Sequence, residues 1–157
     1  MRPKAYIETT VISYLTARES PVAVIAGRQQ VTREWWERRR DLYDLAVSEI
    51  VAQEAADGDA EAASKRLAVL EGIPSLSLSP ESLALAEALV SECPIPEEWI
   101  EDGFHIALSA VNGMDFLVTW NCKHIANAKL RHDIERIVES HGYACPVICT
   151  PEELMED

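Results

Sequence analysis

Ala5-Tyr-Ile-Glu-Thr-Thr-Val-Ile-Ser-Tyr-Leu15 changes its hydrophobic period within a few residues. Ala5, Tyr6 and Ile7 form a short continuous apolar run, the pattern of a buried strand. Glu8, Thr9 and Thr10 end it, and Val11, Ile12, Tyr14 and Leu15 then supply one face of a helix. The stretch therefore predicts a strand that passes directly into a helix, with Thr9 or Thr10 able to cap it. A carboxylate stands at the junction.

The same alternation continues along the chain. Pro21 opens a helix to about Arg39 that carries Trp35 and Trp36, and its basic tail, Arg38-Arg-Arg40, suits the helix dipole. Leu42 to Val47 predicts a second strand, Ser48 an N-cap for Glu49-Ile-Val-Ala-Gln-Glu54, and Asp57-Gly-Asp59 a stop. A helix from Asp59 to Glu71 sets Ala62, Ala63, Leu67 and Leu70 on one face. Ile73 to Leu78 predicts a short third strand, and Pro80 begins a helix to about Cys93, which Pro94 and Pro96 break. Glu97 and Glu98 open a helix that runs to Asn112-Gly113. Phe116 to Thr119 predicts a fourth strand, Ile125 to Ser140 a helix, and Val147 to Cys149 a last strand. Strands alternating with helices argue an α/β fold, an open and mostly parallel sheet covered on both faces, in one domain over residues 1–157. Ligands of such sheets sit beyond the carboxyl ends of the strands.

Composition narrows the class. With 48% hydrophobic and 26% charged residues the chain reads as globular, and no apolar run approaches the roughly 20 residues of a membrane span. The expected location is the cytoplasm, and Cys93, Cys122, Cys145 and Cys149 are expected as free, mostly buried thiols. A net charge of −13 argues against gripping nucleic acid through a broad basic face. It suits a basic partner protein or carboxylates that hold divalent cations.

Residues just past the strands are the candidates for chemistry. Glu8 follows the first, Glu49 and Glu54 the second, and Thr119 and Asn121 the fourth, while Glu101 and Asp102 lie early in the helix before the fourth. Mg²⁺ takes oxygen ligands of this kind, holding one or two carboxylates together with substrate phosphates. Position alone leaves Glu8 open to serving only the helix dipole and Asp102 to being a solvated helical acid. Glu49 and Glu54, five apart, cannot share a helix face, so only one points at the crevice. No strand is followed by a glycine-rich phosphate loop, which excludes the common dinucleotide and P-loop modes. Cys122 and His124 are too close and too few for tetrahedral zinc unless Cys145, Cys149 or His132 joins them, and too close for a nucleophile and its base; as ligands both drop out. Lys123 is at most a phosphate contact.

Four segments resemble, in order, the motifs of the PIN-domain family. Tyr6-Ile-Glu-Thr-Thr-Val-Ile-Ser-Tyr-Leu15 is similar to its opening motif, a strand ending in an acid. Ser48-Glu-Ile-Val-Ala-Gln-Glu54 resembles the second, whose spacing selects Glu54. Asp102-Gly-Phe-His-Ile-Ala-Leu108 resembles the third, and Phe116-Leu-Val-Thr-Trp-Asn121 the fourth. The resemblance implies a three-layer α/β/α sandwich and metal-dependent RNA cleavage, often as the toxin of a VapC-like toxin–antitoxin pair, commonly a homodimer whose antitoxin inserts into the acidic groove. It implies that Glu8, Glu54 and Asp102 hold Mg²⁺ or Mn²⁺, that Asn121 stands where a fourth acid is usual, and that Thr119 orients its neighbours. Glu8 in place of Asp adds a methylene, and Asn121 removes a charge while keeping a carbonyl oxygen. Both changes imply a weakened or reshaped site. A PIN-like binding or regulatory module is therefore the rival reading, and a small-molecule hydrolase on the same topology a third.

Overall fold

The computed structural model of the chain describes residues 1–93 and 95–156, so the break expected at Pro94 lies outside the described residues. Five strands, β1 (Lys4–Ile7), β2 (Asp44–Ser48), β3 (Ser75–Leu76), β4 (Phe116–Val118) and β5 (Val147–Cys149), pair entirely in parallel in the order β3-β2-β1-β4-β5. Parallel strands need long crossovers, and helices supply them: α1 (Thr9–Thr16), α2 (Ala23–Arg38), α3 (Glu49–Ala55), α4 (Ala60–Leu70), α5 (Pro80–Glu92), α6 (Ile100–Val111) and α7 (Ala128–Ser140). By contact they form two groups, α1 with α2, α3 and α4, and α5 with α6 and α7, with α3 also touching α6. The result is the expected three-layer α/β/α sandwich.

Strand order explains both the layers and the place of the site. The chain lays β1, β2 and β3 in one direction, then returns to put β4 on the other side of β1. With right-handed crossovers, that reversal changes the covered face and opens a crevice between β1 and β4 at their carboxyl ends. Tyr6 pairs with Leu117 and Ile7 with Val118, so one further step sets Glu8 beside Thr119. The Glu8 backbone N–H indeed bonds the Val118 carbonyl at 3.0 Å. Tyr6, Ile7, Leu117 and Val118 are fully buried, as expected of central parallel strands.

Several boundaries differ from the sequence reading, each for a local reason. Leu42, expected to open the second strand, instead ends a 3-10 turn over Arg40–Leu42, and β2 starts at Asp44, whose N–H reaches the Pro3 carbonyl at 2.9 Å. The third strand keeps two residues, because Pro74 has no N–H to give the ladder. The helix expected from Ile125 begins at Ala128. Asn121 first turns the chain, its carbonyl accepting the N–H groups of Ile125 and Ala126, and the Asn127 side chain then caps Lys129. On α4 Ala63 is buried, Ala62 and Leu70 are half-buried and Leu67 is exposed, so the expected apolar face is only partly covered. Trp35 joins the core, whereas Val24 is 65% exposed. All four cysteines are free; Cys93 and Cys149 are buried, but Cys122 is exposed. No helix among the described residues is long and apolar enough to cross a membrane.

Candidate metal centre

Glu8 occupies the N-cap of α1 and offers the helix no side-chain cap. Thr9 and Thr10, expected as caps, are instead the first helical residues, and their hydroxyls turn to carboxylates. Thr10 Oγ1 donates to Glu8 Oε1 at 2.5 Å, and Thr119 Oγ1, from beyond β4, donates to the same oxygen at 2.6 Å. Thr9 Oγ1 donates to Glu54 Oε1 at 2.6 Å. Two threonines on successive helical positions thus serve two acids.

Glu54 reaches the site because Ser48 starts α3 in the right direction. The Ser48 hydroxyl accepts the Val51 N–H at 3.2 Å, the N-cap predicted from the sequence, and Glu54 emerges in the second turn. It is Glu54, and not Glu49, whose carboxylate meets residues of α1 and α6. His105 on α6 bonds Glu54 Oε1 through Nε2 at 2.7 Å and the Tyr6 hydroxyl through Nδ1 at 2.7 Å. That hydroxyl meets Ser48 Oγ at 2.7 Å. Glu8, Glu54 and His105 each bring one ligand-type atom to within 4.8 Å of the others.

Asp102 stands beside this trio and outside it. Its Oδ1 accepts from Asn121 Nδ2 at 3.1 Å and its Oδ2 pairs with His124 Nδ1 at 2.9 Å. The Asn121 side-chain Oδ1 accepts the His124 backbone N–H at 3.0 Å, and Thr119 Oγ1 accepts the Asn121 backbone N–H at 2.9 Å. The His124 ring stacks on Trp99 with centroids 3.8 Å apart, and the Lys123 ammonium lies 4.9 Å from the Trp99 centroid. His124, weighed from the sequence only with Cys122 and with zinc, is a partner of Asp102.

Electrostatics separate the three acids. Burial pushes the Glu8 carboxyl above its usual range, although the nearby His105 and the Thr10 and Thr119 hydroxyls pull the other way. Burial also raises Glu54, but the His105 hydrogen bond and charge and the Thr9 hydroxyl outweigh it, leaving Glu54 below its usual value. Burial raises Asp102 against the pull of His105 and His124. For His105, burial opposes the charged form, yet the Glu54 bond and the charges of Glu8, Glu54 and Asp102 raise it overall.

The donor set fits a hard divalent cation. Oε1 of Glu8 and Oε1 of Glu54 each take two side-chain donors, while no side chain among the described residues bonds either Oε2. Glu54 is thereby fixed through one oxygen and offers the other, the arrangement that oriented metal ligands show, while the Glu8 carboxylate also draws on the Thr10 backbone N–H. Glu54 is 33% exposed at its side chain, so the opening lies on its side. Sequence reasoning missed His105 and His124. His105 lies three residues after Asp102, hence on the same helix face, and that spacing is the one available signal.

No protein-family model matches the chain, and no curated protein matches it. Among solved structures, it is similar to a chain in the crystal structure of VapBC2 from Rickettsia felis bound to a DNA fragment from their promoter. Identity is 13%, the TM-score 0.52, and the match covers 93% of this chain and 97% of that one. At that identity the likeness is one of architecture: the chain has a three-layer, PIN-like α/β/α fold.

Proposed function

We propose that the chain, as one PIN-like domain over residues 1–157, is a metal-dependent endoribonuclease that hydrolyses RNA phosphodiester bonds. The supporting observation is the convergence of Glu8 and Glu54, each held through Oε1, past the carboxyl ends of β1 and β2 with Asp102 alongside. Glu8, Glu54 and Asp102 would hold Mg²⁺ or Mn²⁺. A divalent cation there eases deprotonation of a water and offsets charge that builds on the phosphate. The chain's own residues do the rest. Thr9, Thr10, Thr119 and His105 hold the carboxylates in place, and Asn121 and His124 hold Asp102. Burial of Glu8 keeps bulk water from screening the charges.

The partners that accompany this reading are an RNA substrate, a cognate antitoxin protein and a second copy of the chain, in the cytoplasm. A VapBC2 complex among the similar structures supports the toxin role by analogy of fold. Asp102→Asn or Glu54→Gln, each close in shape to the residue replaced, is expected to abolish RNA cleavage in Mn²⁺ while leaving the circular dichroism spectrum unchanged. Full activity in either variant sinks the mechanism.

One observation favours the rival reading of a PIN-like module that binds without cutting: both Asp102 oxygens are already engaged, by Asn121 and His124. Titration calorimetry separates the two. The nuclease requires Mn²⁺ binding that Glu54→Gln weakens, and the binding module requires none.

A further inference from the structure

His105 could meet a cation at the Glu8–Glu54 site in two ways, as a nitrogen ligand or as a support for Glu54. The surrounding bonds decide between them. Both ring nitrogens are committed at 2.7 Å, Nε2 to Glu54 and Nδ1 to the Tyr6 hydroxyl. The side chain is fully buried, as are Tyr6 and Ser48, and the Tyr6 and His105 rings pack with centroids 5.8 Å apart. For Nε2 to coordinate, the ring would have to release Glu54 and leave that carboxylate without one of its two donors.

The bonds also form a directed chain. The Val51 N–H anchors Ser48 Oγ, the Ser48 hydroxyl meets the Tyr6 hydroxyl, and that hydroxyl meets His105 Nδ1. If the hydroxyl protons point towards the imidazole, Nδ1 accepts and Nε2–H donates to Glu54. If they point away, Nδ1–H donates to Tyr6, and because an ionised Glu54 Oε1 can only accept, the ring then carries both protons and Nε2–H again donates to Glu54. Either direction leaves a donor aimed at Glu54 Oε1, and three separate elements hold it: β1 through Tyr6, the β2–α3 junction through Ser48, and α6 through His105. Such outer-layer partners orient a ligand without touching the metal.

We propose that His105 is a positioning residue and not a ligand: the buried Ser48–Tyr6–His105 chain aims the free oxygen of Glu54 at the cation. This rests on the metal-site reading above. The test titrates Mn²⁺ into the full chain and its variants by calorimetry, and follows the His105 ring by nitrogen-15 NMR in metal-free protein. His105→Ala is expected to weaken Mn²⁺ binding by about 10–100-fold. His105→Gln keeps an N–H donor towards Glu54 and is expected to recover most of that loss. Tyr6→Phe removes one buried hydroxyl and little volume, so it keeps the fold; it is expected to weaken binding to a lesser degree and to shift the His105 nitrogen resonances before any metal is added. Unchanged Mn²⁺ affinity in His105→Ala and Tyr6→Phe, with only a lowered melting temperature, would show a purely structural role and overturn the inference. Nitrogen hyperfine coupling from His105 in the electron spin echo spectrum of the Mn²⁺-loaded protein would overturn it too, in favour of direct ligation. Absence of Mn²⁺ binding in the unsubstituted protein overturns the metal-site reading itself, and is seen before any variant is made.

Discussion

Glu8 works against the stability of the fold it sits in. It is 3% exposed, and burial raises its carboxyl despite two hydroxyl donors. A carboxyl raised in the folded state adds stability below its ordinary value of 4.5, and that stability is lost as pH rises through the higher, folded value. At neutral pH the ionised group is therefore a cost to the fold. Glu8→Gln keeps a carbonyl oxygen for Thr10 and Thr119 and removes the charge. It is expected to raise stability at pH 7 by about 1 kcal/mol, or roughly 2–4 °C in Tm. The gain should shrink towards zero at pH 4, where the native carboxyl is protonated, and RNA cleavage should be lost throughout. Melting curves of both proteins across that range check it, and an equal gain at every pH contradicts it. Functional groups held at a cost to stability are common in enzyme sites.

At the scale of elements, α6 carries the greatest constraint. Gly103, His105 and every residue from Ile106 to Ala110 are buried, so the helix is enclosed on most of its surface. Gly103 lets it approach α5: a Cβ there would stand 3.4 Å from the Ala86 carbonyl oxygen and 3.7 Å from Val90 Cγ2. Gly103→Ala needs at most a slight adjustment, whereas Gly103→Leu forces α6 away from α5. We expect the leucine variant to lose about 1–3 kcal/mol in urea unfolding. Because Asp102 and His105 flank that position, the displacement should also weaken Mn²⁺ binding. Retention of native stability by Gly103→Leu would mean that the two helices have slack. The apolar spacing predicted this helix, but the glycine within it carried no sign of a close approach.

Across the whole molecule, charge and topology act together. The net charge of −13 means that any cation bound at the crevice relieves repulsion as well as satisfying carboxylates. Mn²⁺ at about 100 times its Kd is expected to stabilise the folded chain by about 2.7 kcal/mol, visible as a rise in Tm. The rise should vanish in Glu54→Gln, and its persistence there would place the ion elsewhere. The topology explains why one region gathers the acids. In the order β3-β2-β1-β4-β5, the reversal at β1 puts the ends of β1, β2 and β4 side by side, although they lie far apart in sequence. What the sequence determined by itself was whatever depends on neighbours a few residues away: the alternation of strands and helices, the Ser48 cap, and an acid at the end of β1. These follow from hydrophobic period and capping, which are local. Tertiary structure alone decided the partners of the carboxylates. His105 meets Glu54 across 51 residues, His124 meets Asp102 across 22, and Thr119 meets Glu8 across 111. Hydrogen bonds at such separations depend on sheet order and helix packing, which no local pattern encodes.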